Sequence, residues 1–200
     1  MSGGSSPPRN HLAAGGYTFA CAMTVEERIA RRLGQTALVG LGASRGVPEG
    51  RLVSFGIAGA LAPDLPVGTV IDATRVVDES GAVLWEGAPL GANSARTGTI
   101  LGASRIVDDP AERARLHAQT GAAAVDRESG PLARSGRLVG CLRAVSDTPT
   151  RRLGGVARGA TPGGGVDALG FLRGFVREPL VTLRAVGGAR RALKSLEALA

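Results

Sequence analysis

Eight short apolar runs, none much longer than ten residues, alternate with charged or glycine-rich segments, and this rhythm limits the fold more than any other property of the chain. The runs are YTFACAM (17–23), TALVGLG (36–42), RLVSFGIAGAL (51–61), GTVIDATRVV (68–77), AVLW (82–85), TGTILGAS (97–104), AAAV (122–125) and LVGCLRAVS (138–146). Several are apolar at consecutive positions, as strands of a parallel sheet covered on both faces are. Helices follow at regular intervals. TVEERIARRL carries Thr24 and Glu27 at capping-box spacing and Ile29 and Leu33 at helical spacing. DDPAERARLHAQTG has Asp109 as cap, Pro110 at the first position, Glu112 to complete a box and Gly121 as stop. DESG between the fourth and fifth runs predicts a hairpin. The pattern predicts an α/β domain, a single three-layer αβα unit around a central mixed, largely parallel sheet.

At 200 residues the chain has room for one domain with a sizeable core. Aromatic residues make up 3%, so that core is built from Ala, Val, Leu and Ile. Residues 1–16, MSGGSSPPRNHLAAGG, read as a disordered tail, leaving 17–200 as the domain. After a Gly- and Thr-rich loop over 148–165 come VDALGFLRGFV (166–176) and a terminal helix from about Leu180. The net charge of +7 raises the question of a nucleic-acid partner. The arginines are scattered, Lys194 is the single lysine, and aromatic platforms for stacking bases are scarce, so no nucleic acid is expected. Cys21 and Cys141 lie inside strand-like runs and read as buried free thiols. His11 and His117 are far apart in sequence, and no metal is expected. No apolar run is long enough to span a membrane, and a cytoplasmic protein is expected.

In such sheets ligands bind outside the carboxyl ends of the strands. Those ends are unusually rich in acids and glycines here. Thr24, Glu26 and Glu27 follow the first run, and Gly56-Ile57-Ala58-Gly59-Ala60 closes the third. Asp126, Arg127 and Glu128 follow the seventh; Ser146, Asp147 and Thr148 follow the eighth. Charge at the end of a buried strand is costly unless it is paired or used. One such acid could be a cap, but four coincident rim positions point to one site.

Three of these stretches, FGIAGALAPDLPVG, AVDRESG and LRAVSD, together resemble the nucleoside phosphorylase and nucleosidase superfamily, and ACAMTVEERIA is similar to its first strand and acid. The order of the likenesses holds over roughly residues 17 to 199. Within the superfamily the chain looks most like the hopanoid-associated branch, whose acid motif reads V-D-M-E-S and whose chain ends in a basic, Leu-rich helix. The resemblance implies a sheet of nucleoside phosphorylase type and cleavage of the N-glycosidic bond of an adenine nucleoside. On the branch likeness, that nucleoside is adenosylhopane.

Residue by residue, Asp147 matches the acid that addresses the purine N7, with Ser146 beside it. Glu128 matches the glutamate that grips the ribose hydroxyls. Ala58 and Gly59 match the loop where backbone approaches base and sugar closely. Glu26 or Glu27 matches the acid that orients a water in hydrolytic members; Glu27 is weakly preferred, although the capping box would leave Glu26 free. No cofactor is implied. Phosphate is left open as a co-substrate, with Ser44 and Arg45 of GLGASR a weak anion nest. A homo-oligomer is implied, and the basic terminal helix adds peripheral membrane contact to packing by its leucines.

The pattern also departs. Arg127 stands where methionine packs on the sugar, and can do so only with its stem or else reach an anion. Glu128 and Asp147 are closer in sequence by about one helical turn, with Gly130, Pro131 and Gly136 weakening the helix between. GASRGVPEG is too short for a crossover helix, and Ala60 replaces a glycine. Two alternatives therefore stand beside adenosylhopane: a methylthioadenosine or adenosylhomocysteine type of nucleosidase, and a nucleoside-binding remnant without turnover.

Overall fold

The computed structural model describes residue 12 and residues 15–151 and 179–200. In chain order the elements are β1 (Thr18–Cys21), α1 (Thr24–Ala30), β2 (Thr36–Leu38), β3 (Leu52–Ala60), β4 (Val70–Val77), β5 (Val83–Glu86), β6 (Arg96–Gly102), α2 (Pro110–Thr120), β7 (Ala124–Asp126), α3 (Ser129–Arg134), β8 (Leu138–Asp147) and α4 (Pro179–Glu197). All eight expected strands form. They make one mixed α/β sheet in the order β2-β1-β3-β7-β6-β4-β5, with β8 paired to both β3 and β4. The β1–β2, β1–β3, β3–β8, β4–β6 and β6–β7 pairs are parallel, while β3–β7, β4–β5 and β4–β8 are antiparallel. Because β8 bridges β3 and β4, the strands β3, β8, β4, β6 and β7 close into a ring, which the strand pattern alone did not predict.

The connection from β2 to β3 carries only a 3-10 turn over Leu41–Ala43, as its length requires. Helices cover both sides of the sheet. Ile29 and Ala30 from α1 and Leu33 from the turn after it join Ala192, Leu196 and Leu199 over Phe19, Val53, Phe55 and Leu142. Leu132 and Ala133 of α3 pack on the opposite side, and Leu116 of α2 seals a third cluster with Leu101 and Val107. Phe19 and Phe55 meet edge to face at 5.5 Å. Cys21 and Cys141 are buried and free.

Several local expectations shift. The N-terminal cap of α1 is Met23, and Glu26, not Glu27, reaches back to its backbone N–H. In α2 Asp109 caps Ala111 and Glu112 as expected, but the Glu112 side chain turns out to bind Arg105 instead of closing a box. Among the described residues of α4 the buried ones are Ala185, Ala192 and Leu196, with Leu199 just beyond its end, whereas Leu180 and Leu183 are 67% and 56% exposed. α4 runs across Gly187 and Gly188 without a break and packs on β8. Leu12 is buried, and its carbonyl accepts a hydrogen bond from the Tyr17 hydroxyl. Residues 1–11, 13 and 14 of the expected tail, most of the 148–165 loop and the 166–176 run lie outside the described residues. No helix among the described residues is long and apolar enough to cross a membrane.

Candidate active site

The site is built on the carboxyl ends of β1, β3, β7 and β8. Parallel pairing sets β3 and β8 side by side, with Ala58 opposite Val145 and then Gly59 opposite Asp147. Two residues of β8 thus face one of β3, a bulge that frees Ser146 from the ladder at the point where the strand leaves the sheet. Ser146 donates its hydroxyl to the Ala58 carbonyl at 3.1 Å. Asp147 Oδ1 accepts from the Ala60 N–H at 3.0 Å and from Arg113 Nη1 at 2.8 Å, while Oδ2 accepts from Arg113 Nη2 at 3.1 Å. Oδ2 keeps an unused lone pair. Burial pushes the Asp147 carboxyl up, and the Arg113 hydrogen bonds and charge oppose that rise.

A second charge cluster lies beside it. Glu26 is buried and accepts from three backbone N–H groups: Ala22 at 3.1 Å, Met23 at 3.0 Å and Ile57 at 2.9 Å. Gly56 makes room for it, since a Cβ there would lie 2.4 Å from Glu26 Oε1 and 2.7 Å from Arg143 Nη1. Arg143 is fully buried, with Nε 2.5 Å from Asp126 Oδ2 and Nη2 3.6 Å from Glu128 Oε2. Asp126 also accepts from the Ser129 N–H at 3.0 Å. Glu128 is held from the other side by the Gly42 N–H, at 2.9 Å from Oε1. Gly42 has φ +62°, in the left-handed region that favours glycine.

Three buried carboxylates, Glu26, Asp126 and Glu128, therefore surround the single guanidinium of Arg143. One cation cannot neutralise three anions in a dry site, so proton affinity must rise somewhere. It rises at Glu26, driven chiefly by burial, and at Glu128, pushed up to about 7 by burial with the Asp126 charge adding to it. Glu128 can thus hold or release a proton near neutral pH.

Glu26, Ala58, Gly59, Arg127, Glu128, Ser146 and Asp147 line one cavity of about 180 Å³. The sequence reading named all seven, and the fold brings them together from four separate segments. Glu27 is elsewhere: it accepts from Thr36 Oγ1 at 3.3 Å and pairs with Arg31 at 3.1 Å on the outer side of α1. Ser44 and Arg45 do not form a nest, because their N–H groups are bonded to the carbonyls of Leu41 and Val39. The loop gives its Gly42 N–H to Glu128 instead. Arg127 lies against Gly42, and its Nε is buried without a hydrogen-bond partner.

Four residues in or beneath the site escaped sequence reasoning as functional groups. Arg143 sat unremarked within LRAVSD, although an arginine in the middle of an apolar strand needs buried acid partners. Arg113 is three residues before the core residue Leu116 on α2, so helical spacing alone turns it inward. Ile106 and Val107 complete the cavity wall, and Arg113 Nε donates to the Val107 carbonyl at 2.9 Å, tying that wall to Asp147.

No protein-family model and no curated protein sequence matches this chain. Solved structures do. The chain is similar to the 5′-methylthioadenosine/S-adenosylhomocysteine nucleosidase of Helicobacter pylori, with TM-score 0.58 and 17% identity over 92% of this chain and 96% of that one. The futalosine hydrolase of the same organism matches with TM-score 0.53 and 15% identity over 90% and 96% of the two chains. The Campylobacter jejuni 5′-methylthioadenosine/S-adenosylhomocysteine nucleosidase matches with TM-score 0.52 and 17% identity over 92% and 100%. The Helicobacter nucleosidase has also been solved with 5′-methylthioadenosine in its active site. At these identities the likeness establishes a shared nucleosidase-type fold.

Proposed function

We propose that this chain cleaves the N-glycosidic bond of an adenine nucleoside. The observation that carries the reading is the convergence of Glu26, Glu128 and Asp147 on one cavity, beside the small residues Ala58 and Gly59. The structural neighbours, nucleosidases in their own right, support it at the level of the fold.

Breaking this bond builds positive charge on the sugar and negative charge on the departing base. Each carboxylate answers one of those needs. Asp147, at the base end, offers the free lone pair of Oδ2, and its raised proton affinity lets it carry a proton to the purine N7. Glu128, fixed by Gly42 and Arg143, accepts hydrogen bonds from the 2′- and 3′-hydroxyls and stabilises the cationic sugar. Glu26, held by three N–H groups, orients a water against the anomeric carbon and takes its proton. Arg143 balances this cluster from beneath. In a hydrolytic reaction the base leaves with the proton from Asp147, and the water oxygen completes the sugar.

Adenosylhopane is the finer proposal. The exposed Leu180 and Leu183 next to Arg184 support contact between α4 and an anionic membrane holding such a lipid. A homo-oligomer remains part of this reading. Adenine release, followed by chromatography from adenosine, methylthioadenosine and an adenosylhopane analogue with and without phosphate, tests it. Release abolished by Asp147→Asn supports the glycosidic chemistry, and the preferred substrate and phosphate dependence choose among the forms. No release by folded protein from any of the three would favour the binding remnant.

A further inference from the structure

Asp147 stands at the junction of two cavities. On one side is the 180 Å³ space with Glu26 and Glu128; on the other, sharing Ser146 and Asp147 with it, is a larger cavity of about 500 Å³ between the end of β8 and α4. Pockets that enclose whole small molecules run to roughly 300–1,000 Å³, so the sugar-side cavity alone is small for a nucleoside. A nucleoside whose ribose meets Glu128 and whose base meets Asp147 turns the far edge of the base toward the second space.

The walls of that space have a definite chemistry. Val67, Val181 and Ala185 give an apolar body, and Arg151, Arg184 and Arg191 stand around it. Among the described residues, none of the three guanidiniums has a hydrogen-bond or ion-pair partner. Among the described residues of the lining Asp147 is the sole carboxylate, and its charge is already matched by Arg113. α4 comes close enough to wall the space because Gly188 sits directly on the Ser146 carbonyl. We propose that this cavity receives an acidic substituent carried on the purine, so that the preferred leaving group is an adenine bearing an anionic arm. The proposal rests on the nucleosidase reading above, not on its adenosylhopane form, and names the substrate class of that same site.

The test compares N6-(2-carboxyethyl)adenosine with N6-propyladenosine, which has an arm of similar length without charge. A charge-assisted contact with arginine predicts a kcat/KM about tenfold higher for the acidic nucleoside. In Arg184→Gln/Arg191→Gln the ratio of acidic to neutral substrate should fall to about one. Equal or better use of the neutral nucleoside, or a ratio unmoved by the double substitution, overturns the proposal. Calorimetry with the two free bases, N6-(2-carboxyethyl)adenine and N6-propyladenine, separates it from the reading beneath. Tighter, arginine-dependent binding of the acidic base without turnover of any nucleoside keeps the cavity assignment and removes the nucleosidase. Equal binding of the two bases by the unsubstituted protein overturns the assignment. Inorganic phosphate is the third probe, and binding as tight as that of the acidic base would overturn a base-borne anion in favour of a free one.

Discussion

Arg113 grips both oxygens of Asp147, at 2.8 and 3.1 Å, in a pair whose side chains are only 1% and 5% exposed. The two residues lie on different elements, α2 and β8, and the pair is what joins those elements at the cavity. Arg113 also reaches the Val107 carbonyl, so the wall of the cavity and its acid are set by one guanidinium. A planar fork on two oxygens fixes the carboxylate plane as a single donor could not. Arg113 is thus a positioning residue for Asp147.

Removing one member of such a pair leaves a buried charge with no counter-ion, which costs about 3–5 kcal/mol. Arg113→Met should lower stability by that amount in urea titrations. Arg113→Met/Asp147→Asn should cost less than the sum of the two single substitutions, because neither charge is then left alone. Additive losses would mean that the pair does not act as a unit.

Glu26 and Glu27 are adjacent in sequence and opposite in situation. Glu26→Gln removes the base proposed to take a proton from water, and general-base catalysis is worth roughly a hundredfold or more. Its kcat for adenine release should fall by at least that factor. Glu27→Gln loses a surface pair with Arg31, worth about 0.5 kcal/mol at most. Its kcat should stay within about twofold of the parent, the range expected away from the reacting atoms. A reversal of the two effects in initial-rate measurements would move the water to the other face of α1.

The proton affinity of Glu128 predicts how stability varies with pH. Its carboxyl rises from an ordinary 4.5 to about 7 on folding, so the folded state holds a proton that the unfolded chain releases. That advantage is complete below about pH 4.5 and is lost as pH rises through 7. At about 1.4 kcal/mol per tenfold change in proton affinity, the loss is about 3 kcal/mol. The urea midpoint should therefore fall between pH 5 and pH 8, and Glu128→Gln should flatten that slope. Glu26 shifts in the same direction, so the variant curve keeps a residual fall. A parent curve that rises over this range would contradict the assignment.

Much of this architecture is legible in the sequence. Apolar runs on consecutive positions mark strands covered on both faces, and Asp109, Pro110 and Gly121 mark the ends of α2 as the structure has them. Seven of the residues that line the cavity could be named because they sit at or just after strand ends. What stays hidden depends on partners far away in the chain. The closed ring needs β8 to pair with both β3 and β4, and periodicity carries no information on that choice. A capping box of Thr24 and Glu27 would leave Glu26 free, but the cap of α1 is Met23, and Glu26 both reaches back to it and lines the cavity. The anion nest at Ser44 and Arg45 fails because a tight turn uses its own donors. Arg127, the departure that stood out most, lies against Gly42 as the loop folds over Glu128, a contact 85 positions away in the chain.

Gly187 and Gly188 make the final case, because two neighbouring glycines in one helix should respond in opposite senses. A Cβ on Gly187 would meet nothing within 4 Å, so Gly187→Ala should stabilise the protein by up to about 1 kcal/mol through helix propensity alone. A Cβ on Gly188 would lie 2.0 Å from the Ser146 carbonyl oxygen, a backbone atom that cannot swing aside. Relief requires α4 to lift from β8, and overpacking of this kind costs about 1–3 kcal/mol. Because Ser146 and Asp147 share that strand end, Gly188→Ala should also raise KM for nucleosides, whereas Gly187→Ala should leave it unchanged. Thermal unfolding and initial rates on the two variants check both halves. Equal stabilisation by the two alanines would show that α4 does not rest on the site.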